Sequence, residues 1–454
     1  MMSRIFWTLS FGACCLLPSQ AQDLSSKIES LANPYVQSDT VVGLSIGVIK
    51  DGKVTEVHLG STDGKADKPD GDTVYEIGSI SKVFTGILLG DAVVRGDVKL
   101  DQDAQDLLPS GATMPAGNTR TITLKDMSIH RSGLPRLPNN MPRLQTNNPY
   151  SDYTSKLAHN FLNGHKLRRE PGAKQEYSNF AVCLLGNMLC RKAGKDFDAL
   201  MAERITGPLG MTNTRVELTA EMKARLAKPF SGSGTPSANW DFADMPGAGG
   251  IRSTTKDMLK FAQACLISPN NPTGKAMEMA WKEHHAGGGS EAKMGLGWHF
   301  AGDGSTRWHN GQTGGYHSML MVNRDMNAAV IILTNTSNGE IDRLASKVIQ
   351  MLAGADVQPR KFAKEVKVGL NKMQRLVGRY QLVPTFIFDV QVKDGKMMVG
   401  ITNQPTQRVY PKSDTEWFYK SVKASLEFDV DKNGKCNSLV LVQNGRRQKA
   451  TRIK

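Results

Sequence analysis

The chain of 454 residues is short of cysteine, of metal-ligand spacing and of long apolar runs, and each shortage narrows its class. It holds six cysteines, and only Cys183, Cys190, Cys265 and Cys436 lie beyond the first twenty-one residues. Cys183 and Cys190 fall seven residues apart in one helical run, about 10 Å along its axis, too far for a bridge. Neither a disulfide framework nor a cysteine metal site follows. Of nine histidines only His284 and His285 are adjacent, with no carboxylate or cysteine at ligand spacing around them. No metal and no organic cofactor is therefore expected. The glycine cluster Gly247-Ala248-Gly249-Gly250 lacks the lysine pattern of a phosphate loop. It reads instead as part of a site wall. Short-period repeats are absent.

An acidic excess is missing too: the net charge is +14, and it is unevenly placed. Residues 366–454 hold 17 Lys/Arg against 7 Asp/Glu, which leaves only +4 for everything before them. These basic residues are scattered singly along strand-like segments. A dense basic run and an aromatic RNA-binding motif are both lacking, so a solvated face resting on an anionic cell envelope fits better than nucleic acid.

What is present begins with a leader. Arg4, the apolar stretch Ile5 to Leu17 and Ser19-Gln20-Ala21 have the layout of a secretory signal over residues 1–21, with an apolar run too short to span a bilayer. Cleavage after Ala21 is favoured over lipidation at Cys14, because Phe11 is atypical of a lipoprotein box. The expected location is secreted or periplasmic. Length suggests two or three domains, read here as 22–360 and 361–454. In the first, the runs Val41–Ile49 and Val54–Leu59 flank Asp51-Gly52 as a hairpin. Strands return after Met294, and residues 341–352 repeat Ile341, Leu344, Ala345, Val348 and Leu352 with the period of a helix. Strands at both ends of a helical middle predict an α/β fold, an antiparallel sheet with an inserted helical lobe. The stretch 136–152, rich in Pro and Asn, reads as a long surface loop. Beyond a linker at 353–367, alternating strands and Asp-Gly and Asn-Gly turns predict a small antiparallel β-barrel.

Three signals carry chemistry. Ser79-Ile80-Ser81-Lys82 stands where an apolar helix begins, so the Lys82 ammonium can reach the Ser79 hydroxyl from the same helix face. The helix N-terminus adds free N–H groups and partial positive charge there. Tyr177-Ser178-Asn179 precedes the helical run Phe180–Cys190, with Ser178 as its cap. His309-Asn310-Gly311-Gln312-Thr313-Gly314-Gly315 lies on a strand near the end of the first domain.

In this order and spacing the three resemble the serine β-lactamase/penicillin-binding-protein superfamily, specifically its class C β-lactamase-like branch, over about Leu24–Leu352. Residues 366–454, from Val377-Gly378-Arg379-Tyr380, resemble the lipocalin-like domain appended to such hydrolases. The resemblance implies a β-lactamase/transpeptidase-like fold and a Ser79 nucleophile that forms an acyl-enzyme. It implies Tyr177 as general base and Lys82 as the cation holding its phenolate. Bringing a tyrosine from a pKa near 10 to about 7 requires roughly 4 kcal/mol, which one ammonium in contact can supply. Neutral Lys82 as base, with Tyr177 assisting, stays open. Asn179 would position Lys82 and bind the substrate amide. Ser79 and Gln312 N–H groups would form the oxyanion hole, with Gly311 small so that substrate lies on the strand. His309 stands where many β-lactamases carry lysine, and it is neutral at pH 7 without an acidic partner.

The implied activity is hydrolysis of an amide or ester such as a β-lactam. Alternatives within the family are a D-Ala-D-Ala carboxypeptidase, a D-aminopeptidase or an esterase. Outside enzymes they are an acylated penicillin-binding receptor or an envelope-binding scaffold. Expected partners are small-molecule or peptide substrates. His130 reads as a structural histidine near the site, Tyr75 and Trp298 as core, and His317 as rim or solvent.

Overall fold

The computed structural model describes residues 20–142, 146–402, 404–420 and 422–453; the expected leader falls outside them except for its last two residues. Strands β1 (Gly43–Lys50) and β2 (Lys53–Gly60) form the first hairpin. Its two turn residues, Asp51 and Gly52, take φ of +51° and +77°, the left-handed pair that a two-residue hairpin turn requires. Strands β3 (Val74–Glu76) and β4 (Arg252–Thr254) make a small separate pair. After the helical lobe come β5 (His299–Phe300), β6 (Thr306–Gln312), β7 (His317–Asn323) and β8 (Ala328–Thr334). They join the hairpin in one antiparallel sheet of order β2-β1-β8-β7-β6-β5. The chain therefore opens and closes the sheet and builds the lobe in between, as its pattern predicts.

Strands β7 and β8 are buried on both faces, and their alternate side chains serve two cores. Leu320, Val322, Ile331 and Leu333 pack with Val83, Phe84, Leu184 and Phe261 of the lobe. Met319, Met321, Val330 and Ile332 pack with the helices Gln20–Gln37 and Ile341–Leu352 on the opposite face, through Ile28, Leu31, Leu344 and Val348. Among the described residues no helix is long and apolar enough to cross a membrane.

Nine further strands between Gly378 and Arg452 form a second antiparallel sheet. Its order begins at Gln404–Arg408 and ends at Tyr410–Pro411, neighbours in sequence that are not paired. One seam thus stays open in a nearly closed, barrel-like sheet around Tyr380, Phe388, Trp417, Leu426 and Leu439. This sheet touches the first body through the Tyr410 hydroxyl, which donates to Ser233 O at 3.1 Å. Buried Lys420 adds ion pairs to Glu365 and to Asp39.

Some elements differ from the sequence reading. The sequence reads Ser253–Leu266 as one amphipathic helix, but Ser253 and Thr254 belong to β4 and the helix spans Thr255–Leu266, with Thr254 as its cap. Gly295–Trp298, whose sequence reads as the opening of a strand, does not form one; β5 is only two residues long. The helices Ser155–Gly164 and Pro272–Trp281 were not anticipated. The stretch 136–152 is not wholly a surface loop either, because Met141 and Tyr150 are buried in the lobe core.

Candidate active site

A tight turn, Gly78–Ile80, carries Ser79 into the helix Ser81–Val94. Neither start is capped by a side chain, so the Ser79 hydroxyl is not consumed as an N-cap. Its neighbour Ser81 is fully buried and accepts from Ile251 N at 3.1 Å. Ser79 instead opens into a cavity of about 290 Å³ that Tyr177 and Asn179 also line. A larger cleft of about 660 Å³ shares no lining residue with it and contains none of the three motifs.

Lys82 lies beneath the cavity, 1% exposed. Its Nζ donates to Ser79 Oγ at 3.0 Å and to Ala248 O at 2.7 Å. The glycine cluster thus acts on the site through a carbonyl, and Ala248 and Gly249 line the cavity. Lys82 Nζ also stands 4.8 Å from the centre of the Tyr177 ring. Buried this way, an ammonium needs such partners to offset its lost hydration.

Turn and strand β6 approach backbone to backbone. A Cβ at Gly311 would stand 2.0 Å from Ile77 O and 2.8 Å from Ser79 N. At Gly78, whose φ is +50°, a Cβ would stand 2.7 Å from Gln312 N. Only glycine fits at both places, and the closeness sets the Ser79 and Gln312 amides beside the nucleophile.

Tyr177 and Asn179 come from the chain entering the helix Asn179–Ala193, capped by Ser178 as expected, whose Oγ accepts from Ala181 N. His130 holds this entry. At φ +63° its Nδ1 accepts from Ser178 N at 3.3 Å, and its ring lies 4.3 Å from that of Tyr177. Asn179 departs from its expected role. Its amide donates to the Tyr150 hydroxyl at 3.1 Å, and the hold on Lys82 passes to Ala248.

His309 needs a second correction. It does not line the cavity; it is 1% exposed, behind the Tyr177 ring at 6.4 Å between centres. Its Nδ1 donates to Asn310 O at 2.5 Å, and Nε2 has no hydrogen-bond partner among the described residues. Burial above all, then His299 and Lys82, holds this imidazole well below its usual pKa, so it is neutral at pH 7. His299, 5.0 Å away, is pushed down to about 4 by burial and by Lys82. His130 is lowered for the same leading reason.

His317 is not at the rim. It is 3% exposed and joins Gln312 Oε1, 3.1 Å from Nδ1, to Asp342 Oδ1, 2.8 Å from Nε2. The other oxygen of Asp342 accepts from Asn310 Nδ2 at 2.8 Å. One carboxylate on the helix Ile341–Leu352 thus grips two residues of β6 and one of β7. The far wall is Trp240, Phe242 and Tyr150, with the Tyr150 and Phe242 rings stacked at 4.6 Å. Glu76 anchors it: this buried carboxylate, its pKa raised by burial, accepts from Trp240 N at 2.9 Å and Asn239 Nδ2 at 3.1 Å. Tyr75 and Trp298 are core, as expected.

Arg136, Tyr150, Trp240 and His317 were not read as site residues. The contacts that give them their place come from other elements: Tyr150 meets Asn179, Trp240 is held by Glu76 and His317 by Asp342.

A family model described as Beta-lactamase matches residues 28–353, ending before the C-terminal sheet. A Beta-lactamase from Pseudomonas fluorescens is 27% identical over 281 residues, 61% of this chain and 75% of that protein. The D-alanyl-D-alanine-carboxypeptidase/endopeptidase AmpH of Escherichia coli (strain K12) is 30% identical over 253 residues, 55% of this chain. The match spans 63% of AmpH's own length. Among solved structures, a β-lactamase/D-alanine carboxypeptidase from Yersinia pestis complexed with citrate shares 26% identity at TM-score 0.64, over 74% of this chain and 99% of that one. A class C β-lactamase aligns at TM-score 0.66 and 18% identity, over 74% of this chain and 99% of that one, a likeness of fold alone.

Proposed function

Given that this chain belongs to the beta-lactamase family and is a serine hydrolase, we propose that Ser79 is its nucleophile and that an acyl-enzyme forms on its Oγ. The reading rests on one observation above the rest: Lys82 Nζ stands 3.0 Å from a Ser79 hydroxyl that faces an open cavity. Ser79 Oγ attacks the carbonyl carbon of an amide or ester, and its proton passes to Tyr177. Lys82, beside both groups, offsets the negative charge on the phenolate. The tetrahedral oxyanion receives the Ser79 and Gln312 N–H groups. The proton then moves to the leaving nitrogen or oxygen as its bond to carbon breaks. Water attacks the acyl carbon in the reverse sense and frees Ser79.

The substrate is a β-lactam or a related acyl compound. A peptide with a C-terminal D-amino acid is one such compound. It is also the kind of substrate named for AmpH. The leader-like residues 1–21 put this activity in the periplasm or outside the cell.

Labelling with a fluorescent penicillin or a fluorophosphonate, followed by peptide mass spectrometry, tests the reading. An adduct on Ser79 that clears within minutes is expected, with none in Ser79→Ala. An adduct that persists would make the protein an acylated receptor. Absence of any Ser79 adduct in folded protein would sink the mechanism.

A further inference from the structure

The cavity's charge is one-sided. No Asp or Glu lines it, and Lys82 lies beneath its surface. The guanidinium that does line it belongs to Arg136. The main chain of Arg136 is fixed: its carbonyl accepts from Asn179 N at 3.1 Å and Phe180 N at 3.2 Å. Next to it, Pro135 O accepts from Ser178 Oγ at 2.7 Å. Arg136 is therefore anchored to the same helix entry that presents Tyr177 and Asn179. Its side chain is exposed, with Cζ 5.0 Å from the centre of the Tyr177 ring. It pairs with no carboxylate among the described residues. The contrast with Arg131, Arg252 and Arg324 is plain, since each of those is paired with Glu or Asp.

A guanidinium without a carboxylate partner, in the cavity that holds the nucleophile, is suited to a planar anion, which it binds through two parallel N–H donors. On the opposite wall the strand position offers no cation, because His309 is buried and out of the cavity. We propose that Arg136 is the residue of this site that pairs with a substrate carboxylate and selects for it. The proposal rests on Ser79 acylation and goes further by naming the residue that selects for the carboxylate. Recognition comes from the segment before the helix Asn179–Ala193 rather than from the strand.

Two aryl esters with one acyl group separate the possibilities, one with a meta-carboxyphenyl leaving group and the other its neutral meta-carboxamide twin. The quantity read is the ratio of their kcat/KM values. Charge-assisted pairing predicts a wild-type ratio of roughly ten to a hundred in favour of the carboxylate. In Arg136→Gln the ratio should fall to about one, and Arg136→Lys should keep part of it. A wild-type ratio near one overturns the proposal. So does an unchanged ratio in Arg136→Gln with both esters slowed equally, which would assign Arg136 to Tyr177 instead. Mass spectrometry of the trapped acyl-enzyme keeps the two readings apart. Acylation of Ser79 by both esters without discrimination removes only the role of Arg136, whereas failure of both esters to acylate Ser79 removes the nucleophile as well.

Discussion

The two walls of the cleft are built by different means. On the helix wall, Ser79, Lys82 and Tyr177 come from segments about a hundred residues apart, and a buried ammonium ties them together with Ala248 O. On the strand wall no charge faces the reaction. His309 is neutral and hidden, and order comes from Asp342, which holds Asn310 directly and Gln312 through His317. The helix wall does chemistry through charge; the strand wall supplies position. Changes on the first should therefore cost the most, and changes on the second should alter turnover more than binding.

The largest effect is expected at Tyr177. If its phenolate takes the Ser79 proton, Tyr177→Phe should lower kcat/KM for a small ester about 10²- to 10⁴-fold, with the fold intact by circular dichroism. A loss below tenfold would transfer the base role to Lys82 and leave Tyr177 as an assisting group. This measurement separates the two assignments that the motif leaves open.

On the strand wall, Asp342→Asn should be milder. It weakens the hold on Asn310 and on His317, and through them the placement of the Gln312 amide. Removing one oxyanion donor outright costs roughly 10²–10³ in kcat; loosening it should cost about tenfold, with KM within about threefold. A rise in KM at constant kcat would show instead that Asp342 supports substrate binding. Steady-state kinetics on one ester decides between them.

That contrast also explains what could be read in advance. Ser79, Lys82, Tyr177 and Asn179 were visible because each is tied to a helix start, a local feature with a local signature. Ser178 as cap was legible for the same reason. The β1–β2 hairpin followed from its Asp-Gly turn, β7 and β8 from short apolar runs, and the helix Ile341–Leu352 from its period of 3.6. The helix Pro272–Trp281 did carry a signature, Asn271 as cap with Pro272 in its first turn, which was overlooked. His317 and Arg136 had none. The meaning of His317 depends on Asp342, 25 residues on and on another element. That of Arg136 depends on a cavity assembled from both walls. Asn179 lines the same cavity as Ser79 but donates to Tyr150 and not to Lys82, and nothing local reveals that Tyr150 turns inward to meet it.

The smallest expected effect concerns stability, and it tests the neutrality of the strand wall. His299 and His309 are held neutral by burial, and His130 across the cleft likewise. Unfolded, each binds a proton near its ordinary pKa of 6.5; folded, each resists until the pH is far lower. Between those limits the unfolded chain holds more protons, so stability rises with pH. The contribution is complete above about 6.5 and is lost as the pH falls towards about 4, the value to which His299 is pushed. Lowering the pH from 7 to 5 should reduce unfolding free energy by on the order of 1–2 kcal/mol per buried imidazole. Every histidine of the chain lies at or before His317, so the C-terminal sheet adds nothing to this term. Urea unfolding at the two pH values, in wild type and in His299→Gln, measures it. The variant should lose less stability on acidification than wild type. An equal loss in both would mean that His299 keeps its ordinary pKa in the folded chain, and a smaller loss in wild type than in the variant would mean that the strand wall carries a charge at pH 7.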